Sequence, residues 1–159
     1  MIREATSADA RTVIALWTQA YVTEGEGGRD DPYSEAEFAE TAARGEVFVA
    51  EADCEVVGVV ALLPPGAEDL AVAAEGEAEL ARLAVAPAAR RAGSGDALVE
   101  HCERRARKAD WGAIALWSRP YQRAGHRLYE RRGYRRARER DSVDETGFGR
   151  LVFRLPIVR

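Results

Sequence analysis

The stretch Glu79–Gly95, ELARLAVAPAARRAGSG, constrains the fold of this chain more than any other segment. It reads as an apolar strand, a proline-containing turn, the run Arg90-Arg91-Ala92-Gly93-Ser94-Gly95, and then a helix. Without a Cβ at Gly93 and Gly95, the backbone can approach a ligand closely. The first amides of the following helix have no partner within it and carry the positive end of its dipole. A phosphate group satisfies both features, so this junction reads as an anion cradle.

Hydrophobic periodicity sets the frame around the cradle. Ile2–Ala5 reads as a strand, and Thr6 with Asp9 resembles a capping box. Val13, Ile14, Trp17, Ala20 and Tyr21 recur at helical spacing, so a first helix runs to about Tyr21. Residues 25–32 form a loop by composition. Ser34 caps a second helix to about Arg44, with Phe38 turned inward. Val47–Glu51 and Val56–Leu63 are strands of a hairpin turned at Ala52–Glu55. After a loop comes the strand Glu77–Ala86, ended by Pro87. A helix from about Gly93 to Ala109 buries Leu98, Cys102 and Ala106. Ile114–Trp117 is a buried strand, and Tyr121 to about Arg132 is helical, stopped by Gly133. Tyr134–Arg140 and Phe148–Leu155 read as two antiparallel strands around Asp141–Gly147. The order implies one mixed sheet flanked by helices, with no internal repeat and no linker long enough to divide the 159 residues, which read as one domain.

Composition excludes several classes. No apolar run approaches membrane-spanning length, and the start, MIREATSADA, lacks a signal-peptide pattern. Cys54 and Cys102 are too few for a disulfide scaffold or a zinc site, and two reduced thiols suit a cytoplasmic protein without a metal. Charge is lopsided: residues 1–80 hold 18 acidic and 4 basic side chains, and the remainder 9 and 19, for a net of −4. Either the two halves neutralise each other across one fold, or the second half also holds an anionic ligand and the first a cationic one. Every basic residue except Lys108 is arginine. A net-acidic chain without an aromatic-rich basic motif is a poor partner for nucleic acid.

Other phosphate-binding loops do not fit. A P-loop ends in Gly-Lys-Ser/Thr, whereas Gly95 is followed by Asp96 and Ala97. A dinucleotide fingerprint needs three glycines at the first strand-to-helix turn; here there are two, in mid-chain. The pattern Arg90-x-x-Gly93-x-Gly95 resembles the pyrophosphate loop of the GNAT (Gcn5-related) N-acetyltransferases, as do the preceding LARLAVAP and the later LYERRGY. The order of elements resembles that family from Ile2 to Leu155. The resemblance implies an α+β fold, with a mostly antiparallel sheet of about seven strands and about four helices in three layers. It also implies acetyl-CoA as cosubstrate. Leu83, Ala84 and Val85 would lie along the pantetheine arm, where their strand splays from its neighbour near Ile114–Trp117. Arg90, Arg91, Ala92, Gly93, Ser94 and Gly95 would hold the diphosphate. Arg91 and Ser94 depart from the glycine and the aliphatic residue common there, but neither change removes a backbone N–H. Gln122 falls where many relatives have an Asn that contacts the arm.

The resemblance further implies that Tyr129 is the general acid. Acyl transfer to an amine expels a thiolate, and a phenol with an ordinary pKa of about 10 is protonated at neutral pH and can supply the proton. Without the resemblance, Tyr129 reads as an amphipathic residue closing a helix. Glu79 falls where relatives often carry a carboxylate that deprotonates the ammonium through water; a surface residue paired with an arginine is its other reading. His101 and His126 read as surface residues. The amine acceptor would lie against Tyr21, Arg29 and Tyr33, with Trp17 and Phe38 nearby. Glu24, Glu26, Asp30 and Asp31 would face a cationic amine at its mouth, and Asp141–Gly147 forms a second rim. Relatives are often homodimers. An acyl-CoA-binding sensor without turnover and a nucleotide-binding regulator are the other readings of the same loop.

Overall fold

A computed structural model describes residues 1–24 and 29–158. The strands are β1 (Ile2–Glu4), β2 (Glu46–Ala52), β3 (Glu55–Leu63), β4 (Glu77–Val85), β5 (Ala113–Ser118), β6 (Arg135–Arg136), β7 (Ser142–Val143) and β8 (Gly149–Pro156). The helices are α1 (Ala10–Thr18), α2 (Glu35–Arg44), α3 (Ser94–Lys108) and α4 (Arg123–Arg131). The sheet runs β1-β2-β3-β4-β5-β8-β6, with β7 added to β8. Every pairing is antiparallel except β4 with β5. The expected α+β architecture is present, with one strand more than anticipated.

Strand alternation builds the three layers. Side chains two apart on a strand share a face. Val47, Val49, Val59 and Ala61 meet Val13, Trp17 and Phe38 of α1 and α2. Their neighbours Phe48, Ala50, Val60 and Leu62 meet Leu98, Cys102 and Leu128 of α3 and α4. Each large apolar side chain fully buried in these layers contributes about 1.5–3 kcal/mol. Between β2 and β3, Asp53 and Cys54 both take positive φ (52° and 64°), the twist that a two-residue hairpin needs.

Local signals fix the helix ends. The Ser34 hydroxyl accepts the Glu37 N–H at 3.3 Å, and the Ser34 N–H donates to Glu37 Oε1 at 3.1 Å, closing a capping box. The Thr6 N–H donates to Asp9 Oδ2 at 2.7 Å. The first helix departs from the expectation: α1 stops at Thr18, and Gln19–Thr23 widens into a π-turn that carries Tyr21. The segment expected as one strand from Tyr134 contains only two strand residues before a 3₁₀ turn at Arg138–Arg140.

The site-forming feature is a seam in mid-sheet. β4 pairs with β5 only at Glu77–Glu79 against Ala113–Ala115. The register of β4 on β3 slips between Ala81 and Ala84, where Arg82 has φ 53°. This bulge bends β4, as an extra residue in one strand does. Beyond Glu79, β4 keeps β3 on one side and leaves β5, whose end pairs with β8 alone. The base of the seam is locked by Glu77. Its carboxylate receives Arg140 at 2.6 and 3.2 Å, Arg154 at 2.7 Å and the Ala74 N–H at 3.0 Å. Burial pushes the Glu77 carboxyl up, but these donors outweigh it and hold the pKa at about 2.

Candidate active site

Two clefts open from the seam and meet at Tyr129. The larger, about 540 Å³, runs over Leu83–Val85 to Arg90, Arg91 and Gly93–Asp96. The smaller, about 260 Å³, lies on the other side, against Tyr21, Tyr33, Arg82, Arg119 and Glu79. Leu83, Ser118, Gln122, Tyr21 and Tyr129 border both. A third hollow of about 390 Å³ opens between Pro64 and Trp111, near the paired starts of β4 and β5, and reaches none of these groups.

The larger cleft ends in the glycine loop. Gly93 caps α3 with φ 87°, and among the described residues no side-chain cap bond closes that helix start. A Cβ added at Gly93 would meet nothing within 4 Å, so glycine is used there for its conformation. Arg91 also takes a left-handed φ of 72°. Gly93, Ser94 and Gly95 line the cleft at the start of α3, where the first helix amides are a donor set that fits a diphosphate. Ala92, expected among these donors, does not line the cleft and spends its N–H on the Ala89 carbonyl at 3.3 Å. Arg90 stands at the mouth, its guanidinium forked onto Glu24 (2.8 and 2.6 Å) and its Nε donating to the Val85 carbonyl at 3.1 Å. Glu24 is thus committed to Arg90, and Glu26 lies outside the described residues.

Tyr129 stands at the junction of the clefts. Its ring packs against Tyr134 and Phe153, each at 5.8 Å between centroids, and over Gly125, where an added Cβ would lie 3.4 Å from Cε2. Its hydroxyl has no hydrogen-bond partner among the described residues. Burial pushes this phenol well above the ordinary tyrosine range, so it holds its proton at neutral pH.

Glu79 also lines the smaller cleft, and it is buried (3% exposed). Its carboxylate accepts three backbone N–H groups, from Ala71 (3.1 Å), Val72 (2.7 Å) and Ala73 (2.9 Å). It is therefore neither a surface residue nor an arginine partner. About four lone-pair positions exist on a carboxylate, and three are filled here.

Of the three residues expected against the acceptor, Tyr21 and Tyr33 line the smaller cleft. The Tyr21 hydroxyl donates to the Leu83 carbonyl at 2.5 Å. Arg29 is not brought in: it forks onto Glu37 (2.7 and 3.2 Å) and stacks on Tyr33 at 3.9 Å. Trp17 is fully buried and donates to the Arg82 carbonyl at 3.0 Å, a packing role. Gln122 uses its oxygen locally, accepting from Ser118 Oγ (2.9 Å) and the Arg119 N–H (2.8 Å).

Three features escaped the sequence reading. His126 is half-buried, not a surface residue: its ring packs on Phe153 at 5.2 Å. Its Nε2 lies 2.9 Å from the Arg119 carbonyl and 3.1 Å from Ser118 Oγ. A carbonyl only accepts, so Nε2 carries the proton. Burial lowers the His126 pKa, favouring the neutral ring. Arg119 is buried on Asp144 at 2.7 Å, which fastens the β7–β8 turn to the end of β5. Arg82 sits on the β4 bulge. Only the left-handed bulge puts it in the cleft, and strand periodicity carries no signal of that.

The chain belongs to the acetyltransferase (GNAT) family, whose profile matches residues 11–134. Solved structures agree in fold. A ribosomal-protein-alanine N-acetyltransferase from Brucella melitensis superposes with a TM-score of 0.78 at 20% identity, covering 98% of this chain and 99% of its own. The ribosomal-protein-S18-alanine N-acetyltransferase from Escherichia coli gives 0.73 at 22% identity, covering 100% and 94%. A phosphinothricin acetyltransferase from Sinorhizobium meliloti, solved in complex with acetyl-CoA, gives 0.79 at 17% identity, covering 99% and 88%. No protein of curated function matches the sequence. No helix among the described residues is long and apolar enough to cross a membrane.

Proposed function

We propose that this protein is an N-acetyltransferase that uses acetyl-CoA to acetylate a primary amine by direct attack in a ternary complex. The observation that carries this reading is the Tyr129 hydroxyl at the junction of two clefts, one ending in an anion cradle and the other large enough for a compact acceptor. Acetyl-CoA supplies the acyl group as a thioester. The Gly93–Gly95 amides and the start of α3 bind its diphosphate, and the open edge of β4 from Leu83 to Val85 orients its arm. Arg90 lies beside the diphosphate site but is already paired with Glu24, so its charge is partly neutralised there.

Tyr129 holds a proton at its hydroxyl oxygen and gives it to the departing sulfur. The raised pKa keeps that proton in place, so Tyr129 acts as an acid and not as a base. Glu79 keeps one acceptor position for a water through which the acceptor ammonium loses its proton. Tyr21 and Tyr33 meet edge to face on the wall of the smaller cleft, 6.3 Å between ring centroids. The test is thiol release from acetyl-CoA with an amine panel, with the acetylated amine identified by mass. Tight acetyl-CoA binding without release on any amine would favour a sensor instead. Thermal stabilisation by ATP or NAD in place of CoA would favour a nucleotide-binding regulator.

A further inference from the structure

The smaller cleft is lined by three arginines, Arg44, Arg82 and Arg119, beside the carboxylates Asp69 and Glu79. Arg82 projects from the bulge with φ 53°, a conformation that costs a non-glycine residue about 1–2 kcal/mol. Strain of this kind concentrates at ligand sites. Its guanidinium is half-buried, 5.1 Å from the ring centroids of both Trp17 and Tyr33, with one amino group on Thr41 Oγ1 at 2.9 Å. Arg44, on the same wall, donates to the carbonyls of Glu68 (2.9 Å) and Asp69 (2.8 Å).

Neither arginine forms an ion pair among the described residues. The other partly buried arginines mostly do: Arg3 with Asp9, Arg29 with Glu37, Arg105 with Glu46, Arg132 with Glu103 and Arg140 with Glu77. The nearby carboxylates are committed elsewhere. Glu37 is held by Arg29, Asp144 by Arg119 and Glu79 by three amides. Asp69 is exposed at the rim. A half-buried guanidinium that acts on Glu37 only through space, with no carboxylate bonded to it among the described residues and two aromatic rings beside it in a cleft, is a pre-built half of a carboxylate fork.

We propose that the acceptor carries a carboxylate besides its amine, and that Arg82, with Arg44 at the rim, binds it. At about 260 Å³ the cleft is smaller than a typical drug-sized pocket of about 300–1,000 Å³, which points to a free amino acid or a similarly compact amino acid derivative. The proposal deepens the acetyltransferase reading and rests on it for the reaction, but binding tests it separately.

The probes are the free amino acids, their primary amides and the matching decarboxylated amines. With acetyl-CoA saturating, kcat/KM for a free acid is expected to exceed that of its amide by about 10- to 100-fold, mostly through KM, the range of one charge-assisted pair. Arg82→Gln is expected to abolish this ratio and Arg82→Lys to keep part of it. Arg44→Gln should reduce it less, and acetyl-CoA binding heat should stay unchanged in all three as the fold control. Equal use of acids and amides by the wild type overturns the proposal, as does discrimination retained in Arg82→Gln. Acetylation of peptide N-termini alone, with free amino acids neither bound nor used, overturns it too. Calorimetry of the same probes without acetyl-CoA separates the two readings. Acids that bind through Arg82 but are not acetylated support this site and remove the transferase reading. Acetylation indifferent to the carboxylate does the reverse.

Discussion

Replacing Tyr129 by Phe removes one oxygen from the junction of the clefts and leaves the ring packing in place. The ring is buried (7% exposed) against Tyr134 and Phe153, and Phe fills the same space. The hydroxyl has no partner among the described residues, so its removal should change stability by no more than about 0.5 kcal/mol. Loss of a general acid lowers the rate by about 10²–10⁴, which corresponds to about 2.7–5.5 kcal/mol of activation free energy. The catalytic effect therefore exceeds the structural one several-fold, which Tyr129→Ala would not achieve, because emptying the ring's space costs about 3–5 kcal/mol of stability. The assay is thiol release at saturating acetyl-CoA and amine, with thermal unfolding in parallel. Because burial raises the phenol pKa, Tyr129 contributes no alkaline fall in kcat below about pH 10 in the wild type. A Tyr129→Phe enzyme with kcat within twofold of wild type, and an unchanged melting curve, would refute the acid assignment.

Acid should weaken the fold through Glu77. Its native pKa of about 2 lies below the unfolded value of 4.5, so its stabilising effect is complete above about pH 4.5 and fades as pH falls toward 2. The loss is at most about 3 kcal/mol, and Glu77→Gln, measured by urea unfolding from pH 6 to pH 2.5, should flatten much of that slope. Glu79→Gln leaves amides of the 71–73 loop short of an acceptor and should cost about 1–3 kcal/mol. If Glu79 also passes the acceptor's proton, kcat/KM of the folded variant falls by about 10²–10⁴; kcat/KM within about twofold of wild type assigns the base elsewhere. Gly93→Ala meets no steric obstacle but forces φ 87° on a residue with a Cβ, for about 1–2 kcal/mol. Calorimetry should show weaker acetyl-CoA binding in that variant, and equal affinity would mean the loop amides are not the diphosphate donors.

Much of the frame was legible because its causes are local. The alternation in VFVA and VVALL puts opposite faces of β2 and β3 toward opposite helix layers. Ser34 and Glu37 cap α2 within a single turn. The misses are contacts that leave the residue's own helix or strand. His126 read as a surface residue because its partners lie at the end of β5, on the residue after it and on β8. Arg29 read as a cleft residue because no pattern marks its fork onto Glu37, eight residues on. The π-turn at Gln19–Thr23 replaces the last expected turn of helix and puts the Tyr21 hydroxyl on Leu83, 62 residues away.

The sequence by itself determined the strand, the glycine loop and the helix at Glu79–Lys108, because backbone conformation and unpaired helix amides follow from neighbouring residues. Only the tertiary structure decided what surrounds that loop. The parting of β4 from β5, the turning of Glu79 onto three amides and the placing of Arg82 between Trp17 and Tyr33 all depend on which remote groups compete for each donor and acceptor. That competition is settled when the layers pack, so no local pattern in the chain records it.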